Sequence, residues 1–349
     1  MAATKEIRVS SDDVTYFQLP GNTGDINFEG NQLDDTIFGQ EFSSSETGLI
    51  NWTISGNAMY RGFAGYNSIV RRNGTTATTF TGETLAQVDS SQTYRISDST
   101  KAVWNWNATT TIYDGASPVA DADIEEINYL FGEVTFVAGY TVTGAVTADG
   151  EFYTMSTYGR ANNFSLTQTA ETTDTTSFED AQANGGFNEF RATLLTADLE
   201  LSGFYRSSND NFGDLSARNE FVIELDVAGD GTSIARGIYK VGSGSQSGDV
   251  GGDEESTLSL TLAVPEGVKP FGWQHGSTSI IPQGLLVIQE GWINRTPIYV
   301  EYLPEGQGEY GYTGQAIVTD ASMSSGVDAM VEASVSLQGS STLSEIGTP

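Results

Sequence analysis

Strict alternation of apolar and polar residues limits what this chain can fold into more than any other feature of it. Phe221-Val222-Ile223-Glu224-Leu225-Asp226-Val227, Leu258-Ser259-Leu260-Thr261-Leu262 and the shorter run from Ala145 to Ala148 are examples. Thr, Val, Ile, Tyr and Phe fill such runs, and Gly, Asn, Asp and Ser interrupt them roughly every ten residues. A period of two sends successive side chains to opposite faces of a pleated strand. The chain therefore reads as all-β, with many half-buried antiparallel strands in sandwiches or barrels and little helix. Two segments depart from the pattern. Leu285-Leu286-Val287-Ile288 is continuously apolar, which predicts a strand buried on both faces. Asp121 to Leu130 predicts one short helix: Asp121 can cap it, and Ile124, Ile127 and Leu130 recur at a spacing of three.

The landmarks of the first half recur, in order, in the second. Thr36-Ile37-Phe38 is answered by Thr176-Ser177-Phe178, and Trp52-Thr53-Ile54-Ser55-Gly56 by Leu199-Glu200-Leu201-Ser202-Gly203. Trp106-Asn107 with Ile112-Tyr113 is answered by Trp292-Ile293-Asn294 with Ile298-Tyr299. The run from Phe131 to Phe136 matches that from Thr313 to Val318, and both halves close on alternating runs that stop at Gly159 and Gly339. The order predicts two tandem antiparallel β modules, residues 1–165 and 166–349, each of ordinary domain size. The second module carries two extra polar segments, Arg206–Ala217 and Gly242–Ser256, which read as surface loops.

Charge narrows the function. The 349 residues hold 46 Asp+Glu against 15 Lys+Arg, a net charge of −31. Only Lys5, Lys101, Lys240 and Lys269 are lysines. Nucleic acid and anionic membrane surfaces are gripped by basic residues, so neither is an expected binding partner. Abundant carboxylates with scarce lysine resemble the proteins of halophiles. Cysteine is absent, which removes disulfides and thiolate chemistry. Neither an apolar leader core nor a run of membrane-spanning length occurs, so a protein made and kept in the cytoplasm until something larger is built from it is expected.

Chemistry is hard to find. His275 is the only histidine, and no Gly-x-Ser-x-Gly frames a nucleophile; a loop residue satisfied locally is the better reading of it. Asp226 to Gly231 lacks the carboxylate ladder and terminal Glu of a calcium loop, and Asp249, Asp253, Glu254 and Glu255 read as a solvated turn. Paired carboxylates for glycoside hydrolysis cannot be picked out among so many. Five Asn-x-Ser/Thr sites occur, at Asn51, Asn73, Asn107, Asn163 and Asn294; Asn51 and Asn163 lie in strand-like runs and are expected to be inaccessible. The five tryptophans read as core or interface packing rather than a sugar platform. No catalytic, cofactor or metal residues are assigned, and an enzyme is not expected.

One resemblance is specific. Asp174-Thr175-Thr176-Ser177-Phe178, then Phe190-Arg191, then Leu199 to Phe204, resembles the early segment of the major tail tube proteins of long-tailed phages and tailed archaeal viruses. Ala197-Asp198 departs from that family's usual Gly-Leu pairing. Gly314 to Ser324 and Val331 to Gly339 are similar to its closing strand pair. The likeness covers most of residues 165–345 and, faintly, 30–160. It implies a virion structural protein with no enzymatic activity, self-assembled into stacked rings. A homotrimer with pseudo-sixfold symmetry is favoured, with a hexamer as the alternative. Other tail proteins would meet the tube ends, and genomic DNA would pass the lumen without specific binding. The acidity suits a haloarchaeal virus. A glycan-binding or glycan-cleaving β-sandwich of a virion spike or cell surface is the competing expectation.

Overall fold

The computed structural model describes residues 5–21, 23–35, 44–88, 91–158, 160–204, 211–247, 255–276 and 281–347. The chain begins with β1 (Glu6–Ser10), β2 (Phe17–Gln18), β3 (Gly24–Asp34) and β4 (Ser45–Ala64). There follow β5 (Ile69–Gln87), β6 (Thr93–Ile96), β7 (Thr111–Asp114), β8 (Ser117–Pro118), β9 (Ile124–Asn128), β10 (Glu133–Phe136) and β11 (Val146–Thr157). The middle holds β12 (Arg160–Asp174), α1 (Phe178–Ala183), β13 (Phe190–Phe204), α2 (Asn211–Ala217), β14 (Phe221–Asp226), β15 (Ser233–Ser247), β16 (Glu255–Leu262) and β17 (Phe271–His275). Last come α3 (Gln283–Asn294), β18 (Ile298–Leu303), β19 (Gly311–Asp320), β20 (Met323–Gly326), β21 (Met330–Gly339) and β22 (Ser344–Ile346). The protein is all-β and antiparallel, as the alternation predicts.

Two compact units share the chain. Met1–Gly65, Ser165–Asp198 and Ile280–Pro349 form the first; Tyr66–Phe164 and Leu199–Ser279 form the second. The chain crosses between the units after Gly65, Phe164, Asp198 and Ser279. Each half of the chain, 1–165 and 166–349, contributes strands to both units.

In the first unit the strands run β3-β4-β21-β19-β18-β1-β2. Helix α3 packs on β1, β2, β18 and β19. Leu285, Ile288 and Trp292 are buried in that contact, and Gln289 donates to the hydroxyl of buried Tyr60 at 2.7 Å. This corrects the strand predicted at Leu285–Ile288. The four apolar residues lie in the first half of a helix buried nearly all round, and a short apolar run does not by itself separate that case from a buried strand. The positions that distinguish them are Leu285, Ile288 and Trp292, at helical spacing. The helix stops where Arg295 turns left-handed, φ 55°, and its N–H returns to Gly291 and Trp292.

In the second unit the order is β8-β7-β11-β5-β14-β15. The first half of β15 pairs with β17 and the second half with β16, which also carries the end of β13. The end of β5 leaves for a second sheet, β5-β6-β10-β9. Phe80, Trp104, Ile112, Val134, Phe136 and Val146 fill the core that these strands share. The helix predicted at Asp121–Leu130 is absent. A single 3-10 turn, Asp121–Asp123, leads into strand β9. Its register slips between Thr135 and Phe136, so that Val134 faces Ile127 while Phe136 faces Ile124. A bulge thus puts two isoleucines three apart against one core, imitating a helical spacing.

The repeated landmarks do not occupy equivalent places. Trp106 lies in a turn whereas Trp292 lies in α3. β10 sits between β6 and β9, but its counterpart β19 sits between β18 and β21. Alternation ended by a glycine is a requirement of many strands, so matching it finds strands rather than homologous positions. Thr36–Phe38 and Gly159 lie outside the described residues.

Candidate assembly surfaces

The first unit extends a two-stranded ribbon. β3 and β4 pair from Gly24↔Gly56 out to Asp34↔Ser45. Its root is fixed by Trp52 and Ile54, each 1% exposed, and the Trp52 indole donates to the carbonyl of Ser341 at 2.8 Å. Gly339 is the glycine on which β21 ends. A Cβ there would lie 2.3 Å from the Trp52 ring, so the residue that stops the alternation also makes room for the indole. Toward the tip, Gly30–Asp34 are largely exposed. Among the described residues β3 pairs on one edge only, with β4. An 11-residue strand with a free edge is a template for another strand.

That edge carries apolar side chains. Phe28 is 61% exposed and Leu33 52%. The Phe28 ring lies 6.2 Å from that of Tyr312, which lies 5.5 Å from Tyr310. The Tyr310 hydroxyl donates to that of Tyr312 at 3.3 Å, and this bond and the Glu345 carboxylate push the Tyr310 phenol above its ordinary range. Single exposed apolar residues are ordinary; a row of three rings beside an open edge is a surface able to receive a partner.

The second unit also carries a ribbon. β15 and β16 pair from Tyr239↔Leu262 to Ser247↔Glu255, with β13 along the other side of β16. Leu199, Leu201, Leu258 and Leu260 are buried, while Gly242–Ser247 are exposed. The segment Gly242–Ser256, read from sequence as a loop, is therefore paired strand at both ends. Asp249, Asp253 and Glu254 lie outside the described residues. Of the other segment read as loop, Asn211–Ala217 is helix α2, and the described chain resumes only there.

At the base of this unit, β14 lies between β5 and β15. Glu224 stands opposite Arg71 on one neighbour and opposite Arg236 on the other. One carboxylate oxygen of Glu224 accepts from Arg71, and the other accepts from Nε and Nη2 of Arg236 at 2.7 and 2.6 Å. Arg236 also donates to the carbonyl of Leu130 at 2.7 Å, and burial pushes its guanidinium down. Asp226 accepts from the N–H groups of Gly229 and Gly231, at 2.8 and 3.0 Å; burial pushes its carboxyl up. The Asp226–Gly231 turn thus spends its carboxylate internally. Among the described residues no three His, Cys, Asp or Glu side chains are placed to hold a metal ion.

The other residues singled out from sequence are dispersed. His275 ends strand β17 rather than lying in a loop, with its ring stacked 5.6 Å from Trp273. Trp52, Trp104 and Trp292 are at most 2% exposed and offer no face to a sugar. Asn73 is buried and accepts from the N–H of Val222 at 2.7 Å. Asn51 and Asn163 do lie in strands, but their side chains are exposed, contrary to expectation, because they point to the solvent side of the pleat. Phe28, Tyr310 and Tyr312 were not legible beforehand: Phe28 alternates as a core residue would, and only the strand's place at an edge exposes it.

No protein family model matches the chain, and no curated protein matches it. Among solved structures, one matching chain comes from the virion of a native gene transfer agent particle. The match covers 35% of this chain and 89% of that one, at 17% identity and a TM-score of 0.28. A likeness that slight does not place the fold.

Proposed function

We propose that this chain is a structural protein of a virion, the subunit of a tail tube, which assembles with copies of itself into rings stacked around a channel for DNA. The observation that carries the reading is the ribbon β3–β4, with its open edge and its aromatic row. It supports the resemblance read from Asp174–Phe178, Leu199–Phe204 and the closing strands, because a subunit that closes rings needs edges that pair with neighbours. The ribbon β15–β16 is a second arm of the kind that stacking requires. Two compact units of comparable size per chain suit three chains closing a ring with pseudo-sixfold symmetry. A net charge of −31 suits a lumen that must repel phosphate rather than bind it. It also suits a host rich in salt.

Sedimentation velocity over a salt series tests this. Screening shortens from about 10 Å at 0.1 M salt to about 3 Å at 1 M. Assembly is expected at high salt, with dissociation as salt falls and the carboxylates repel one another. A single-chain species throughout the series would refute it. The row Phe28, Tyr312 and Tyr310 also favours a second reading, a glycan-binding face, because rings of this kind stack on sugars. Saturable binding on a glycan array, lost in Phe28→Ser without change in assembly, would select that reading.

A further inference from the structure

A cavity of about 450 Å³ opens in the second unit, and its lining inverts the composition of the chain. The whole sequence has three times as many carboxylates as basic groups, 46 against 15. The lining has three arginines, Arg71, Arg95 and Arg236, and one carboxylate, Glu224. Both oxygens of Glu224 are already engaged by Arg71 and Arg236. The remaining acidic partners, Asp226 for Arg71 at 3.4 Å and Glu133 for Arg95 at 2.6 Å, are not part of the lining.

Arg236 uses Nε and Nη2 on Glu224 and Nη1 on Leu130. Arg71 uses Nη1 alone, and Arg95 uses Nε and Nη2. Nε and Nη2 of Arg71 and Nη1 of Arg95 therefore have no partner among the described residues. Neither do the side chains of Ser99, Thr154 and Gln274, which line the same cavity. Two guanidinium groups, two hydroxyls and an amide form a donor set without a matching acceptor. Guanidinium forks match the planar spread of oxyanion oxygens. Apart from Thr100, whose hydroxyl donates to Asp98, the rest of the wall is apolar, including Ile96, Val103, Met155 and Ile234, where an anionic group would be poorly hydrated and held the more strongly by those donors.

We propose that this cavity is an oxyanion-binding site. It takes a carboxylate or phosphate group on the unused N–H groups of Arg71 and Arg95, with Ser99, Thr154 and Gln274 as further donors. Two sources supply that chemistry: a free small anion, or an acidic side chain of another copy of the chain. The stretch Asp249–Glu255 has four carboxylates in seven residues. The site does not depend on the chain building tubes.

Isothermal titration calorimetry of the full chain at constant ionic strength tests it, using inorganic phosphate, succinate and a peptide of residues 246–256 in separate arms. Saturable binding is expected in at least one arm, with mutual competition between any probes that bind. Arg95→Gln leaves the Arg71–Glu224–Arg236 row intact and is expected to weaken binding about tenfold. Thr154→Val removes one donor and no ion pair, and a severalfold loss is expected with an unchanged melting temperature. Binding of the peptide alone assigns the site to another copy; binding of the small anions alone assigns it to a free ligand. No saturable heat with any probe, or affinities unchanged in both variants, would overturn the proposal.

Discussion

Glu224 stands in the middle of a row of charge, Arg71–Glu224–Arg236, laid across three adjacent strands by their register. Glu224 and Arg236 are 3% and 5% exposed, so each depends on the other for its hydration shell. Removing one member of a buried pair costs more than removing both, because the survivor stays desolvated and unpaired. Glu224→Gln is expected to lower stability by about 3 kcal/mol in chemical denaturation. Glu224→Leu with Arg236→Met is expected to recover much of that loss. Asp114 gives a prediction of pH dependence. Its carboxylate accepts from the backbone N–H groups of Thr143, at 2.8 Å, and Gly144, and from the Thr143 hydroxyl at 3.0 Å. These bonds, the Thr143 N–H first, hold its carboxyl below the ordinary 3.8. The folded state therefore binds fewer protons than the unfolded one in acid, and the contribution is complete at neutral pH and lost as pH falls below that value. Asp114→Asn is expected to melt lower than the parent at neutral pH, with the difference closing in acid.

Among the elements, β3 separates stability from assembly. Its inner face meets the sheet through Gly24 and Ile26, while Phe28 stands 61% exposed. Phe28→Lys places a charge on the open edge, a device by which natural edge strands refuse partners. The variant is expected to keep the parent's melting temperature within about 0.5 kcal/mol of stability, as surface changes do. It is expected to fail to assemble at any salt concentration; assembly equal to that of the parent would remove β3 from the interface. The elements also mark how far the sequence could be read. Strands announced themselves wherever one face is buried and the other wet, as in β16 and β21. Burial on all sides hid α3, which reads as an apolar run because burial removes the polar face that would reveal its period; β14, buried along both faces as well, still showed as a strand through the alternation of Glu224 and Asp226. β9 imitates a helix for a different reason: a bulge alters the spacing of residues on one face. The Arg71–Glu224–Arg236 row was illegible because it depends on which strands are neighbours, and alternation does not encode neighbours.

For the whole molecule, alternation pointed to the all-β class, and the structure is mostly antiparallel strand. The division into units could not be read in the same way. The chain returns to the first unit twice after leaving it, and such long-range pairing follows from the folded topology rather than from local pattern. What the sequence offered as a repeat of landmarks is, in the structure, a repeat of strand grammar. The case for a ring of three chains therefore rests on two compact units per chain, two projecting ribbons and the resemblance to tail tube proteins. Electron microscopy of the purified protein in concentrated salt, averaged over particles seen down their axis, tests that case most directly. Closed rings of three chains, six lobes in all, around a channel wide enough for a duplex of about 20 Å are expected. Isolated single-chain particles under every salt condition would contradict it.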